Sequence, residues 1–131
     1  MVYFNLFIAM LFLHLFADFT LQGWFAQGKQ KDWWIKQCKD ANVDFHPYRY
    51  DYLCALVGHS VYWAILTFAP VIFLVSWPSV VCAVGFLALQ VIVHAVIDDL
   101  KANRFKINLW HDQAAHLVQI IFALAVFVLL W

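Results

Sequence analysis

Four runs of about 20 residues with very few charges, at about 2–25, 52–77, 79–100 and 109–131, constrain this chain more than anything else in it. A hydrocarbon core about 30 Å thick is crossed by about 20 helical residues, and lipid offers the backbone no hydrogen-bond partner. Each run must therefore close its own backbone hydrogen bonds as a helix. With 66% hydrophobic and 12% charged residues, and a mean hydropathy of +0.78, the 131-residue chain lies far from soluble composition. The expectation is one all-α integral membrane domain over 1–131, a four-helix bundle with short connections apart from a polar arm at 26–51.

The arm mixes Lys31, Lys36 and Cys38 with Trp33, Trp34 and Ile35, a composition suited to a short amphipathic helix in the headgroup region, which Pro47 would end or bend. Spans two and three join through an uncharged turn at 76–79, spans three and four through the basic segment 101–108. All eight lysines and arginines fall in the arm and that second segment. Both follow odd-numbered spans, so both lie on one side. The positive-inside rule then predicts a multi-pass protein of the inner (cytoplasmic) membrane, with these loops cytoplasmic and both termini extracytoplasmic. The first run lacks a basic leader and a small-residue cleavage site and is read as a span, not a signal peptide. Cys38 and Cys54 would lie on the basic side and Cys82 at the other end, and no C-x-x-C occurs. Neither a disulfide framework nor a thiolate metal site is indicated.

Seven ionisable residues interrupt the apolar spans: His14-x3-Asp18, His94-x3-Asp98, Asp112-x3-His116 and a single His59. Each costs about 2.5–3.5 kcal/mol in a bilayer on insertion scales, so the set needs common compensation. The chain contains no glutamate, and at least three of its eight aspartates are placed inside apolar runs. Positions four apart on an α-helix differ by about 40°, so each pair presents both side chains from one face. Chain direction puts each Asp nearer the cytoplasmic end and its His deeper, with His59 level with His94 and His116.

A bound divalent metal is the simplest shared compensation. Imidazole with carboxylate suits zinc first, with iron and manganese compatible, and seven ligands approach what a two-ion centre uses. Gln22, Gln90, Gln113 and Gln119 fall on or near the same faces and would orient the ligands. Hydrogen-bonded His/Asp couples or a proton relay without metal are the blander alternatives, as is simple packing for His59. His46 and His111 sit at loop or helix-end positions and read as solvated. The seven tryptophans, Trp24, Trp33, Trp34, Trp63, Trp77, Trp110 and Trp131, read mostly as an interfacial belt. The motifs of zincins, membrane desaturases, α/β-hydrolases and P-loop enzymes are absent, and no feature addresses nucleic acid.

His14-Leu-Phe-Ala-Asp18-Phe-Thr-Leu-Gln22 with Lys29, His59-Ser60, His94-x3-Asp98-x2-Lys101 and Asp112-Gln113-x2-His116 together resemble the bacterial and phage membrane proteins of domain-of-unknown-function family 3307. The likeness runs over nearly the whole chain, although the 26–51 arm looks longer than that family's usual connection. The family has no assigned activity. A looser similarity to small membrane proteins labelled metal-dependent hydrolases implies a direction and no substrate. Within the chain, His-x3-Asp followed by a His in the next span occurs twice, a weak parallel duplication that would place a two-metal site between the halves.

The leading expectation is a metal-dependent hydrolase acting on a lipid headgroup or other amphiphile at the cytoplasmic leaflet. Asp99 or Asp98 would accept a proton, and Lys29, Lys101 and Arg104, with Lys106, would hold a phosphate. Topology and attraction to anionic lipid alone account for those bases, and do so better than phosphate binding. Two other classes remain open: a divalent-metal or proton transporter, which the apolar outer halves of the spans disfavour unless the protein is a homo-oligomer, and a non-enzymatic interaction protein with a structural metal, whose Trp33–Trp34 arm meets its partner.

Overall fold

A computed structural model describes residues 1–74 and 77–130. Among these the chain is helical, with no strand. Helix α1 (Val2–Leu15) runs into a π-helical turn, Phe16–Thr20, and is followed by the short α2 (Phe25–Gly28), α3 (Lys31–Asp40) and a 3-10 turn at His46–Tyr48. Then come α4 (Asp51–Leu74), α5 (Val80–Ala102) and α6 (Leu109–Leu130). Four stretches, Val2–Thr20, His46–Phe73, Val80–Ala102 and Leu109–Leu129, are long and apolar enough to cross a membrane.

The four long helices form a closed ring, α1 on α4, α4 on α5, α5 on α6 and α6 on α1. The central axis is left to side chains. At one level these are apolar, with Met10, Phe68, Val71, Ile120, Ala123 and Phe127 buried against one another. At the other they are His14, His59, His94, Asp98, Asp112 and His116, all nearly inaccessible. The outer surface is the reverse: Phe4, Phe12, Phe73, Val81, Ile92, Val118 and Phe122 are largely exposed. Polar inside and apolar outside is the distribution that lipid as solvent selects, and it makes this an integral membrane protein.

Side-chain caps start two of the long helices. Ser79 caps α5 by accepting the Cys82 amide at 3.2 Å, and Asn108 caps α6 by accepting that of His111 at 3.0 Å. Three expected boundaries move. The first span ends in the π turn at Thr20, not at 25, and the chain then reverses through Gly23 at φ +50, a backbone conformation glycine adopts without strain. The second span's helix is described as far as Leu74, and Trp77 falls outside it; of the connecting turn at 76–79, Ser76 lies outside the described residues, as does Trp131. Pro47 does not end the arm helix. Helix α3 stops at Asp40, before Asn42 at φ +54, and Pro47 opens the separate 3-10 turn.

The arm folds back against the bundle. Helix α2 packs on α4, and Asn103, at the end of α5, accepts the Lys31 amide at 2.8 Å and donates to the Lys29 carbonyl at 3.0 Å. Both basic connections therefore lie on one face of the bundle. Gly28 admits the Trp24 ring, which a Cβ there would meet at 2.9 Å. The three cysteines are free.

Candidate metal centre

The ligand-bearing stretches of α5 and α6 are regular, so His94 with Asp98 and Asp112 with His116 point inward together, as their spacing predicts. Helix α4 adds His59 and α1 adds His14. Asp18 sits in the π turn, where the Leu21 amide reaches back five residues to the Phe16 carbonyl. Such turns re-aim a side chain relative to the α-helical register. All seven expected residues meet at one end of the bundle core.

Their partners divide them. Trp63 Nε1 donates to His14 Nδ1 at 2.9 Å, so the other ring nitrogen carries the proton and donates to Gln113 Oε1 at 3.2 Å. The Gln113 amide in turn donates to Asp112 Oδ2 at 3.1 Å and Asp18 Oδ2 at 3.4 Å. Both nitrogens of His14 are thus committed, and it orients Gln113 instead of offering a free lone pair. His59 Nε2 lies 3.3 Å from the Gln22 amide, 3.5 Å from Asp18 and 3.4 Å from Asp98. By contrast, His94 and His116 make no hydrogen bond through either nitrogen, and Asp112 Oδ1 and Asp18 Oδ1 are also buried without one.

A buried polar atom without a partner is costly, and here several converge. His116 Nε2 is 3.6 Å from Asp98 Oδ1 and 3.5 Å from Asp112 Oδ1, and His94 Nε2 is 3.6 Å from Asp98 Oδ2. These spacings are long for hydrogen bonds. They approach the separation of about 3.3 Å between two ligands held 2.0–2.1 Å from one tetrahedral ion. Among the described residues, two groups bring one ligand atom each to within 4.8 Å of one another, as a metal site requires: the wholly buried His94, Asp98 and His116, and Asp18, His59 and His94. No family model matches the chain. No curated protein and no solved structure matches it either. The likeness to family 3307 therefore rests on the motif residues alone.

The outer oxygens of the two central carboxylates carry cations already. Lys29 Nζ donates to Asp98 Oδ2 at 2.5 Å in a pair that is almost fully buried, and Lys101 Nζ donates to Asp112 Oδ2 at 2.6 Å. Lys29 and Lys101 were expected as free phosphate-binding bases; in the structure both neutralise candidate ligands. Arg104 is likewise taken, by Asp99 at 2.6 Å, and that carboxylate also accepts from Asn103 at 3.0 Å. Asp99, one helical step of 100° from Asp98, lines the α4–α5 groove and not the cluster, so of the two expected proton acceptors only Asp98 lies in the cluster.

Gln22 and Gln113 do touch the expected ligands, whereas Gln119 donates to the Gln90 side chain at 3.0 Å and its carbonyl at 2.9 Å, an interhelical clasp between α5 and α6. Trp63 is no belt residue. It is wholly buried and stacks on His94 with ring centroids 4.0 Å apart, and His94 stacks on His116 at 4.2 Å. The spacing His59-x3-Trp63 was the available signal, since it puts both on one face of α4.

A cavity of about 200 Å³ adjoins the cluster, lined by Asp18, Phe19, Gln22, Lys29, Lys101, Leu109 and Gln113. Its polar residues come from the face that bears both basic connections. Of the candidate ligands only Asp18 lines it.

Proposed function

We propose that this is a metal-dependent hydrolase of the inner membrane that cleaves a phosphate ester in the headgroup of an anionic amphiphile, with its cavity on the cytoplasmic side. The observation carrying this reading is the unpartnered His94, His116 and Asp112 atoms beside a polar cavity that two lysines border. Excess basic residues on that face support the orientation.

Charge favours one ion over two. Asp18, Asp98 and Asp112 against Lys29 and Lys101 leave a formal −1 in the cluster with neutral imidazoles. One divalent cation makes it +1, which one phosphodiester anion cancels; two cations would leave +3 in a low-dielectric core. The donor set that fits is His94, His116, Asp98 and Asp112, with zinc the first candidate among the divalent ions. A proton on one imidazole would also balance the charge, but both nitrogens of His94 would still lack partners.

A bound metal of this kind lowers the pKa of water towards neutrality and polarises a phosphoryl oxygen. The residues of the chain supply the rest. Lys29 and Lys101 hold Asp98 and Asp112 ionised and face the cavity with positive charge. Asp18, with one free oxygen at the cavity wall, accepts the proton of the attacking water. The water oxygen bonds to phosphorus, the P–O bond to the leaving alcohol breaks, and the proton passes to that alcohol oxygen. Beyond the Gln90–Gln119 clasp the described core buries Val71, Ala123 and Phe127 with the hydroxyl of Thr67 and no charged side chain, which disfavours transport.

The test is elemental analysis of protein purified without chelators, followed by phosphate-ester release from bacterial lipids. About one divalent ion per chain, lost in His94→Ala, with hydrolysis that fails in Asp18→Asn, is expected. Fewer than about 0.5 ion per chain would sink the metal reading. One ion per chain without hydrolysis, but with metal flux in proteoliposomes, would replace the enzyme with a transporter.

A further inference from the structure

Resting on that reading, the course of the α1–α6 seam bears on what lies in the site. An apolar groove of about 300 Å³ runs between these helices, walled by Leu11, Leu15, Ala114 and Leu117, and its polar end is His14 and Gln113. Leu15 and Trp110 on its rim are 43% and 83% exposed, so it opens sideways from the bundle into lipid. Gln113 also lines the polar cavity. The two spaces meet at that side chain. Further along the same seam a second apolar cavity, of about 430 Å³, involves Phe7, Ile121, Leu124 and Val128. From Ala114 to Val128 the α6 axis advances about 21 Å at 1.5 Å per residue. One leaflet of hydrocarbon is about 15 Å deep.

The seam is therefore long enough for one fully extended acyl chain, and its polar end meets at Gln113 the cavity that Lys29 and Lys101 line. The α4–α5 groove offers a contrast. It is also apolar, at about 280 Å³, but its polar end is the Asp99 and Arg104 pair, and none of the candidate ligands lines it. We propose that the α1–α6 seam holds one acyl chain of an anionic phospholipid from the surrounding bilayer, with its phosphate headgroup in the polar cavity beside Lys29 and Lys101. The substrate then enters sideways from the leaflet, not from water. Gln113, already hydrogen-bonded to His14, Asp18 and Asp112, marks the boundary between chain and headgroup.

The full chain, reconstituted in vesicles of phosphatidylglycerol or of phosphatidylcholine, each doped with the same lipid bearing a diazirine on its acyl chain, gives the test. After illumination, labelled peptides are mapped by mass spectrometry. Labelling should concentrate on residues 7–15 and 114–128. With zinc supplied the cluster is formally +1, and an attraction of about 1 kcal/mol for the anionic headgroup predicts about fivefold or greater preference there for phosphatidylglycerol. Ala114→Trp, which fills the groove from an exposed position, should abolish the preference, and Val96→Trp in the α4–α5 groove should leave it intact. Equal labelling from the two lipids, or labelling spread evenly around the bundle, would overturn the proposal. If Ala114→Trp fails to fold, the lipid ratio and the map in the unaltered protein still decide. Metal content and hydrolysis are read on the same vesicles, so a seam that labels selectively in a zinc-loaded protein without hydrolysis separates failure of the enzymatic reading from failure of this one.

Discussion

Replacing Lys29 with methionine is the sharpest perturbation of the cluster, because it removes one charge and keeps most of the side chain's length. Lys29 is 5% exposed and Asp98 2% exposed, with Nζ and Oδ2 2.5 Å apart. At an effective dielectric constant of about 20 the gross attraction is about 7 kcal/mol. Burying the ammonium offsets part of it, and truncating one partner of a buried pair costs about 3–5 kcal/mol, mainly because the surviving charge is stranded. With chelator present, Lys29→Met should therefore unfold earlier by about that amount when SDS is titrated into mixed micelles and helicity is followed by circular dichroism. The cluster would then hold formal −2 instead of −1, so stoichiometric zinc should rescue the variant more than it stabilises the parent. Lys29→Met combined with Asp98→Asn should recover most of the loss, since neither charge remains. A loss below about 1 kcal/mol in chelator, with no coupling in the double variant, would refute the buried pair as the element that neutralises Asp98.

Three further outcomes follow from the same geometry. Asp99→Ala should cost at most about 1 kcal/mol and leave metal content unchanged, because its partner Arg104 is largely exposed; loss of bound metal would return Asp99 to the site. Gln119→Leu should cost about 0.6–1.7 kcal/mol, the range for interhelical hydrogen bonds in membranes, again with metal retained; a metal-free variant would show that the clasp holds the ligands after all. Lowering the pH should release the ion cooperatively, since protons compete with it for His94 and His116, and zinc binding followed by calorimetry in two buffers of different ionisation enthalpy should report proton release. Binding that releases no proton and is independent of pH would exclude imidazole ligation.

What could be read from the chain alone was what depends on short-range periodicity. His94 with Asp98, and Asp112 with His116, sit on straight α-helices, where a spacing of four means one face, and they meet as that arithmetic requires. In α1 the same spacing was less informative, because the π turn at Phe16–Thr20 changes the register beneath Asp18. Features that depend on contacts between elements were not legible. Lys29 and Lys101 look like ordinary topogenic bases until the arm is seen folded over the helix ends. Gln90 and Gln119 each lie within one turn of a ligand and face the core, yet they answer each other across two helices. Asp98 and Asp99 are adjacent in sequence, and only the neighbours of α5 decide which carboxylate enters the cluster.

The order of the ion pairs along the chain bears on how the protein is made. Lys29 precedes Asp98, and Lys101 precedes Asp112. During synthesis each of these aspartates therefore emerges after the ammonium group that will neutralise it has been placed at the membrane surface. An unpaired aspartate in a span costs about 2.5–3.5 kcal/mol, so this order shortens the time for which an inserted helix carries that penalty alone. Asn103 secures the first partner by holding the backbone on either side of Gln30, which keeps the arm against the end of α5. Circular permutation that moved the arm behind α6 would preserve every contact in the finished bundle while reversing that sequence of events, and it would separate a defect of assembly from one of stability.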